Sequence, residues 1–134
     1  MRRRMLLNLT LVGSLFAAAA PLCAQATSND EEEGVVVIKM VDKSPTEFAY
    51  EPAHVTVAPG TVLRFVQAGD VYPHNVDFRT GGLKGTMSPF LTKAGETWEI
   101  TIDDRFAPGV HEFVCTPHEF MGMKGTVTVQ GDGS

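Results

Sequence analysis

Between residues 35 and 130 the chain is written in short runs in which apolar and polar positions alternate or β-branched residues cluster. VVVIKMV (35–41) is a β-branched run, and AHVTV (53–57) is a shorter one that stops at the turn APG. TVLRFVQ (61–67) alternates, with Leu63 and Phe65 on one face and Arg64 on the other. GETWEITID (95–103) alternates most clearly: Trp98, Ile100 and Ile102 face inward, while Thr97, Glu99 and Thr101 face outward. HNVDF (74–78), GVHEFVC (109–115) and KGTVTVQ (124–130) complete the series. Side chains alternate across a strand with a period of two, so each run predicts a strand with one buried face. Gly and Pro punctuate the gaps. No segment of a dozen residues after the N-terminal apolar run carries a stripe of helical period. About seven or eight short strands without helices predict one all-β domain, a Greek-key β-sandwich or barrel, with Trp98 in its core.

The ends of the chain read differently. MRRRM is a basic start, LLNLTLVGSLFAAAA (6–20) is an apolar run, and AQA (24–26) is a small-x-small cleavage site. This is the pattern of a secretory signal, cut after Ala26. As a retained anchor the apolar run would be too short, since a membrane span takes about 20 apolar residues. A lipoprotein signal cut before Cys23 would want a small residue where Leu22 stands. The arginines fit either the Sec or the twin-arginine route. TSNDEEEG (27–34) is polar and acidic and reads as a disordered leader, and residues 131–134 read as a flexible tail.

Cleavage changes both the charge and the cysteine count. Loss of Arg2, Arg3 and Arg4 leaves 8 of the 11 basic residues against 16 acidic ones, a net charge near −8. That balance speaks against nucleic acid and anionic membrane as partners, and for a partner with a basic patch. Cys23 leaves with the signal, so Cys115 stands alone in an oxidising compartment. It is either inert or it does chemistry.

The chemistry concentrates in CTPHEFMGMKG (115–125), which offers a thiol, an imidazole and two thioethers. Cys-x-x-His alone is weak; a methionine shortly after it and a strand directly beyond strengthen it. A thiolate with imidazoles and a thioether suits copper. Zinc gains little from a thioether. A catalytic Cys–His pair would want an orienting group, and only Glu112 and Glu119 lie close in the chain. The second imidazole is chosen by reach. His111 lies four residues before Cys115 on the same strand, about 13 Å away at the rise of a β-strand, and reads as a structural histidine. His54 enters a strand far from other ligand types and reads as a surface residue. His74, delivered by Pro73 to the start of a strand, can reach the pole that holds the Cys115 loop.

HNV (74–76), followed by APGVHEFVCTPHEFMGMKGTVTV (107–129) with its Cys115 about forty residues after His74, resembles the cupredoxins, small blue-copper electron carriers. FAYEPAHVTVAPGTVLRF (48–65) and AGETWEITI (94–102) are similar to family strands and turns, so the likeness spans about 35–130. The copper loop is very similar to that of pseudoazurin. The resemblance implies a cupredoxin-like fold and one type 1 copper ion bound by His74, Cys115, His118 and Met123. Met123 immediately precedes the returning strand, the family's axial position. Met121, at the spacing of a shorter family loop, then becomes an apolar surface residue. Asn75 resembles the family residue that braces the copper loop.

Some positions depart from the family pattern. Residues 79–94 are shorter than in plastocyanin, Val114 stands where plastocyanins expose a tyrosine, and the chain lacks the lysine-rich face of pseudoazurins. Core packing is at least as good a reading of Met87, Pro89 and Phe90 as an apolar rim. The resemblance implies a periplasmic, monomeric, non-enzymatic shuttle of single electrons, with Pro117, Phe120 and Met121 around His118 as the contact for redox proteins. A copper storage or delivery protein would share the ligands; the lack of extra Met/His tracts favours the carrier.

Overall fold

The computed structural model describes residues 32–131. The predicted signal, most of the acidic leader and the last three residues lie outside that range. Residues 32–34 form a turn onto the first strand, where Val35 N–H donates to Glu32 O (2.9 Å) and Arg64 pairs with Glu32 (3.0 Å).

Eight strands of the described residues form two four-stranded sheets. They are β1 (Val35–Ser44), β2 (Glu47–Glu51), β3 (His54–Val57), β4 (Val62–Gln67), β5 (Asp77–Phe78), β6 (Thr97–Thr101), β7 (Gly109–Val114) and β8 (Lys124–Val129). One sheet runs β2-β1-β4-β6 and the other β3-β8-β7-β5. β1 lies parallel to β4 and β3 parallel to β8, and the remaining pairings are antiparallel. The parallel pairs join segments separated in sequence, so the chain crosses between the sheets of an all-β sandwich. The helical content of the described residues is two 3-10 turns, at Gly81–Leu83 and Glu119–Met121.

Alternation sets the core. Leu63 and Phe65 of β4 are fully buried, and Arg64 turns outward as expected. Ile38 and Met40 project from β1 onto the same interior, facing Phe78, Phe113, Val127 and Val129 of the other sheet. Tyr50, Phe65 and Phe113 meet edge to face, with centroids 4.8 to 6.1 Å apart. Each buried side chain of this size stabilises the fold by about 1.5–3 kcal/mol relative to exposure.

Four expectations need correction. β2 is not among the predicted strand runs, although Phe48 and Tyr50 alternate with Ala49 and are buried. The strand expected at 74–78 shrinks to Asp77–Phe78, because Leu91 pairs with His74 in an isolated bridge and residues 86–91 cover this stretch instead of a sheet neighbour. Trp98 is half-buried, tilted on Phe65 at 5.9 Å, because β6 is an edge strand. Met87 and Phe90 are not core: each is more than half exposed, at 55% and 54%. Pro89 is exposed as well.

Candidate metal centre

Three elements meet at one pole of the sandwich. The first is the loop from β4 to β5. Gln67 ends the inward stripe of β4, is fully buried, and donates both amide hydrogens to Gly69 O and Tyr72 O (2.8 Å each). This sets the path of 68–73 and delivers His74. Leu91 then exchanges two backbone hydrogen bonds with His74 (3.1 and 2.8 Å), and the Ser88 hydroxyl accepts from Val76 N–H (2.9 Å).

The second element is the loop after β7. Cys115 N–H donates to Met123 O (3.1 Å) and His118 N–H to Cys115 O (3.1 Å), closing the loop on itself. The 3-10 turn Glu119–Met121 follows, capped by Gly122 at φ 86°, a left-handed conformation that favours glycine. Met123 N–H then returns to His118 O (3.2 Å), and the chain enters β8. Asn75 ties the two loops: its side-chain oxygen accepts from Thr116 N–H (2.9 Å) and from the Thr116 hydroxyl (3.1 Å). From below, the Tyr50 hydroxyl donates to Asn75 O at 2.6 Å.

The third element is the β1–β2 hairpin, whose part the sequence reading missed. Asp42 of β1 lies opposite Phe48 of β2, next to a register shift between Asp42 and Ser44. Residues directly opposite in an antiparallel pair project to the same side. Asp42 Oδ1 lies 2.6 Å from His74 Nε2. The Phe48 ring stacks on His118 with centroids 3.9 Å apart and planes at 23°. Tyr72 meets the edge of the same imidazole at 6.2 Å. One hairpin therefore supports both histidines. A signal for this was present: Asp42 continues the inward period of Ile38 and Met40, just as Gln67 continues that of Leu63 and Phe65. A polar residue on an inward stripe asks for a buried partner.

Within this frame His74 Nδ1 lies 3.6 Å from Cys115 Sγ, His118 Nδ1 lies 3.5 Å from Cys115 Sγ, and the two Nδ1 atoms are 3.1 Å apart. An ionised carboxylate only accepts, so a hydrogen bond here would need the ring proton on Nε2 and would leave the His74 Nδ1 lone pair toward the cluster. Three donors in a triangle of this size fit one ion at metal–ligand distances of about 2.0–2.3 Å. Burial pushes the Cys115 thiol upward, against the backbone N–H groups of Asn75 and His118, which act on the sulfur in the other direction. Burial, and then the neighbouring His74 imidazole, hold His118 below the usual imidazole range. His74 and Cys115 are fully buried and His118 is 7% exposed, so the triangle meets solvent only through His118.

The other candidates separate cleanly. Met123 is fully buried, whereas Met121 is 52% exposed. His111 is buried with Nε2 2.6 Å from Ala107 O, away from the cluster. His54 is exposed and faces the Thr126 hydroxyl at 2.8 Å. Val114 is fully buried, and Phe120 is 99% exposed.

Known proteins share this arrangement of chain and fold. Residues 36–130 match the family described as copper binding proteins, plastocyanin/azurin family. The chain is 35% identical over 117 residues to pseudoazurin of Paracoccus pantotrophus, covering 87% of this chain and 76% of that protein. It is 33% identical over 127 residues to plastocyanin of Prochlorothrix hollandica, covering 90% and 85% respectively. The fold is similar to oxidised plastocyanin of Dryopteris crassirhizoma with a TM-score of 0.61 and 25% identity, covering 71% of this chain and all of that one. A thiol and two imidazoles buried at one pole, on a chain that matches along nearly its whole described length, make this protein a member of the plastocyanin/azurin family of copper-binding proteins, with copper as its cofactor.

Proposed function

We propose that this protein carries single electrons between redox partners outside the cytoplasm, holding one copper ion through His74, Cys115, His118 and Met123. The observation that carries the reading is the buried triangle of two Nδ1 atoms and one Sγ, 3.1 to 3.6 Å apart, which reaches solvent at one imidazole. Bound there, copper supplies one-electron chemistry between its two oxidation states. The chain's own part is to keep the donors in place. Asn75 braces the Cys115 loop through Thr116, Asp42 and Phe48 fix the two imidazoles, and the sandwich excludes water. A frame fixed by both sheets needs little rearrangement when the charge of the site changes.

His118 is the port for electrons. Pro117, Phe120 and Met121 flank it in the chain and are exposed, and Met87 and Phe90 add apolar surface on the segment that covers residues 74–78. A small dry contact suits a transient redox encounter. The acidic balance of the chain steers a partner with a basic patch at a rate that falls with salt. The N-terminal leader supports export, with a mature chain beginning near residue 27 and a domain spanning 35–130. The protein acts as a monomeric carrier and not as an enzyme.

The test is a visible and EPR spectrum of the copper-loaded mature protein, followed by a redox titration. An intense thiolate-to-copper band with reversible one-electron chemistry is expected. A colourless site that exchanges Cu(I) readily would sink the carrier reading in favour of copper storage or delivery.

A further inference from the structure

The contact between Asp42 and His74 does more than hold a ring. Asp42 Oδ1 is 2.6 Å from His74 Nε2, and the carboxylate is only 17% exposed. Its other oxygen, Oδ2, is buried and has no hydrogen-bond partner among the described residues. The neighbouring Lys43 is turned to Glu51 at 3.3 Å. Among the described residues, His74 is thus the one ion-pair or hydrogen-bond partner of the Asp42 side chain. The placement is built into the hairpin. Asp42 keeps the inward period of Ile38 and Met40 and the register that sets it opposite Phe48, and β1 and β2 lose register just beyond it, before Ser44, with one extra residue on β1. Gly69 leaves the space: a Cβ there would stand 2.7 Å from Asp42 Oδ2.

We propose that Asp42 is a positioning residue that fixes His74 in its Nε2–H form and biases the bound copper toward its oxidised state. The inference rests on the copper-carrier reading above. The physical reason is charge. A carboxylate that accepts from a ligand imidazole makes the other ring nitrogen a stronger donor, and removing such a partner commonly changes metal affinity by about 10–100-fold. Cu(II) carries more charge than Cu(I), so it gains more from the stronger donor and from a negative charge in a low-dielectric site. Asp42 therefore lowers the reduction potential of the centre.

The experiment is a redox titration of wild type, Asp42→Asn and Gly69→Ala, each loaded with copper. Asn keeps an acceptor oxygen at the same place and removes the charge. About a tenfold shift of the Cu(I)/Cu(II) ratio toward Cu(I) at fixed ambient potential is expected, equal to about 59 mV for a one-electron couple. Gly69→Ala, which pushes the carboxylate aside while keeping it, shifts the ratio in the same direction by less. It also decides the matter if Asp42→Asn does not take up copper: a shift toward Cu(I) supports the inference. Ratios within twofold of wild type, or a shift toward Cu(II), overturn it. A second readout needs no copper. Long-range proton–nitrogen correlation on the metal-free wild type should find His74 with its proton on Nε2, and a proton on Nδ1 overturns the role of Asp42 whatever the redox result. A wild type without the thiolate-to-copper band but with the Nε2–H form would sink the carrier reading and leave the positioning contact supported.

Discussion

Replacing Tyr50 by Phe isolates one hydrogen bond that holds the metal pole to the core. Tyr50 is 1% exposed, and its ring packs edge-on against Phe113 at 4.8 Å and Phe65 at 6.1 Å. Phe preserves both contacts and the volume. What it removes is the O–H donated to Asn75 O at 2.6 Å. Burial pushes the Tyr50 phenol far above its usual range, so it remains a donor at every working pH. Asn75 is fully buried, and its carbonyl would lose a partner that water cannot easily replace. Leaving a buried acceptor unsatisfied costs about 1–3 kcal/mol. For a domain of roughly 100 residues each kcal/mol lowers the melting temperature by about 4–8 °C, so a fall of about 5–20 °C is expected. The assay is thermal and urea unfolding of the metal-free mature protein, with wild type beside the variant. Because Asn75 also accepts from Thr116 next to Cys115, the copper-loaded variant should show a broadened or shifted thiolate band as well. A stability loss below about 0.5 kcal/mol, the size of an ordinary surface substitution, would refute the reasoning.

Three further outcomes follow from the same geometry. Met123→Leu should markedly change the copper spectrum and potential, while Met121→Leu should leave the spectrum unchanged, since Met123 is fully buried at the pole and Met121 is 52% exposed; equal effects would reject Met123 as the axial ligand. In the metal-free protein the folded state holds His118 below the usual imidazole value, by burial first and the neighbouring His74 imidazole second, with Asp42 opposing. The folded chain then binds fewer protons than the unfolded one, so this contribution is fully present above pH of about 6.5 and is lost as pH falls through the folded value. The urea midpoint should fall between pH 7.5 and 5 more steeply in wild type than in His118→Gln, and parallel curves would contradict the assignment. Gly122→Ala forces a Cβ into a left-handed turn at φ 86° and should cost about 1–2 kcal/mol in unfolding experiments; a neutral result would mean that the loop rearranges at no cost.

The sequence by itself determined the class of fold, the identity of the metal and the loop that concentrates the donors. Period-two alternation is local, and it needs no partner to be read: Leu63, Phe65 and Ile100 are buried as the pattern requires. The spacing Cys115, His118, Met123 is local too, as is the turn that closes it. His74 could be chosen only by excluding histidines that could not reach, and its meeting with Cys115 is a property of the β5–β7 pairing. Tertiary structure alone decided what surrounds the donors. Asp42 and Phe48 face each other because β1 keeps one register with β2 from Lys39–Glu51 up to that pair, in a hairpin whose second strand is five residues long and was not predicted. Which residue lies opposite which depends on pairings between distant segments, and a shift of one residue sends a side chain to the other face. Asp42 on an inward stripe announced that a buried partner was needed, but only the folded hairpin could say that the partner is the imidazole of His74.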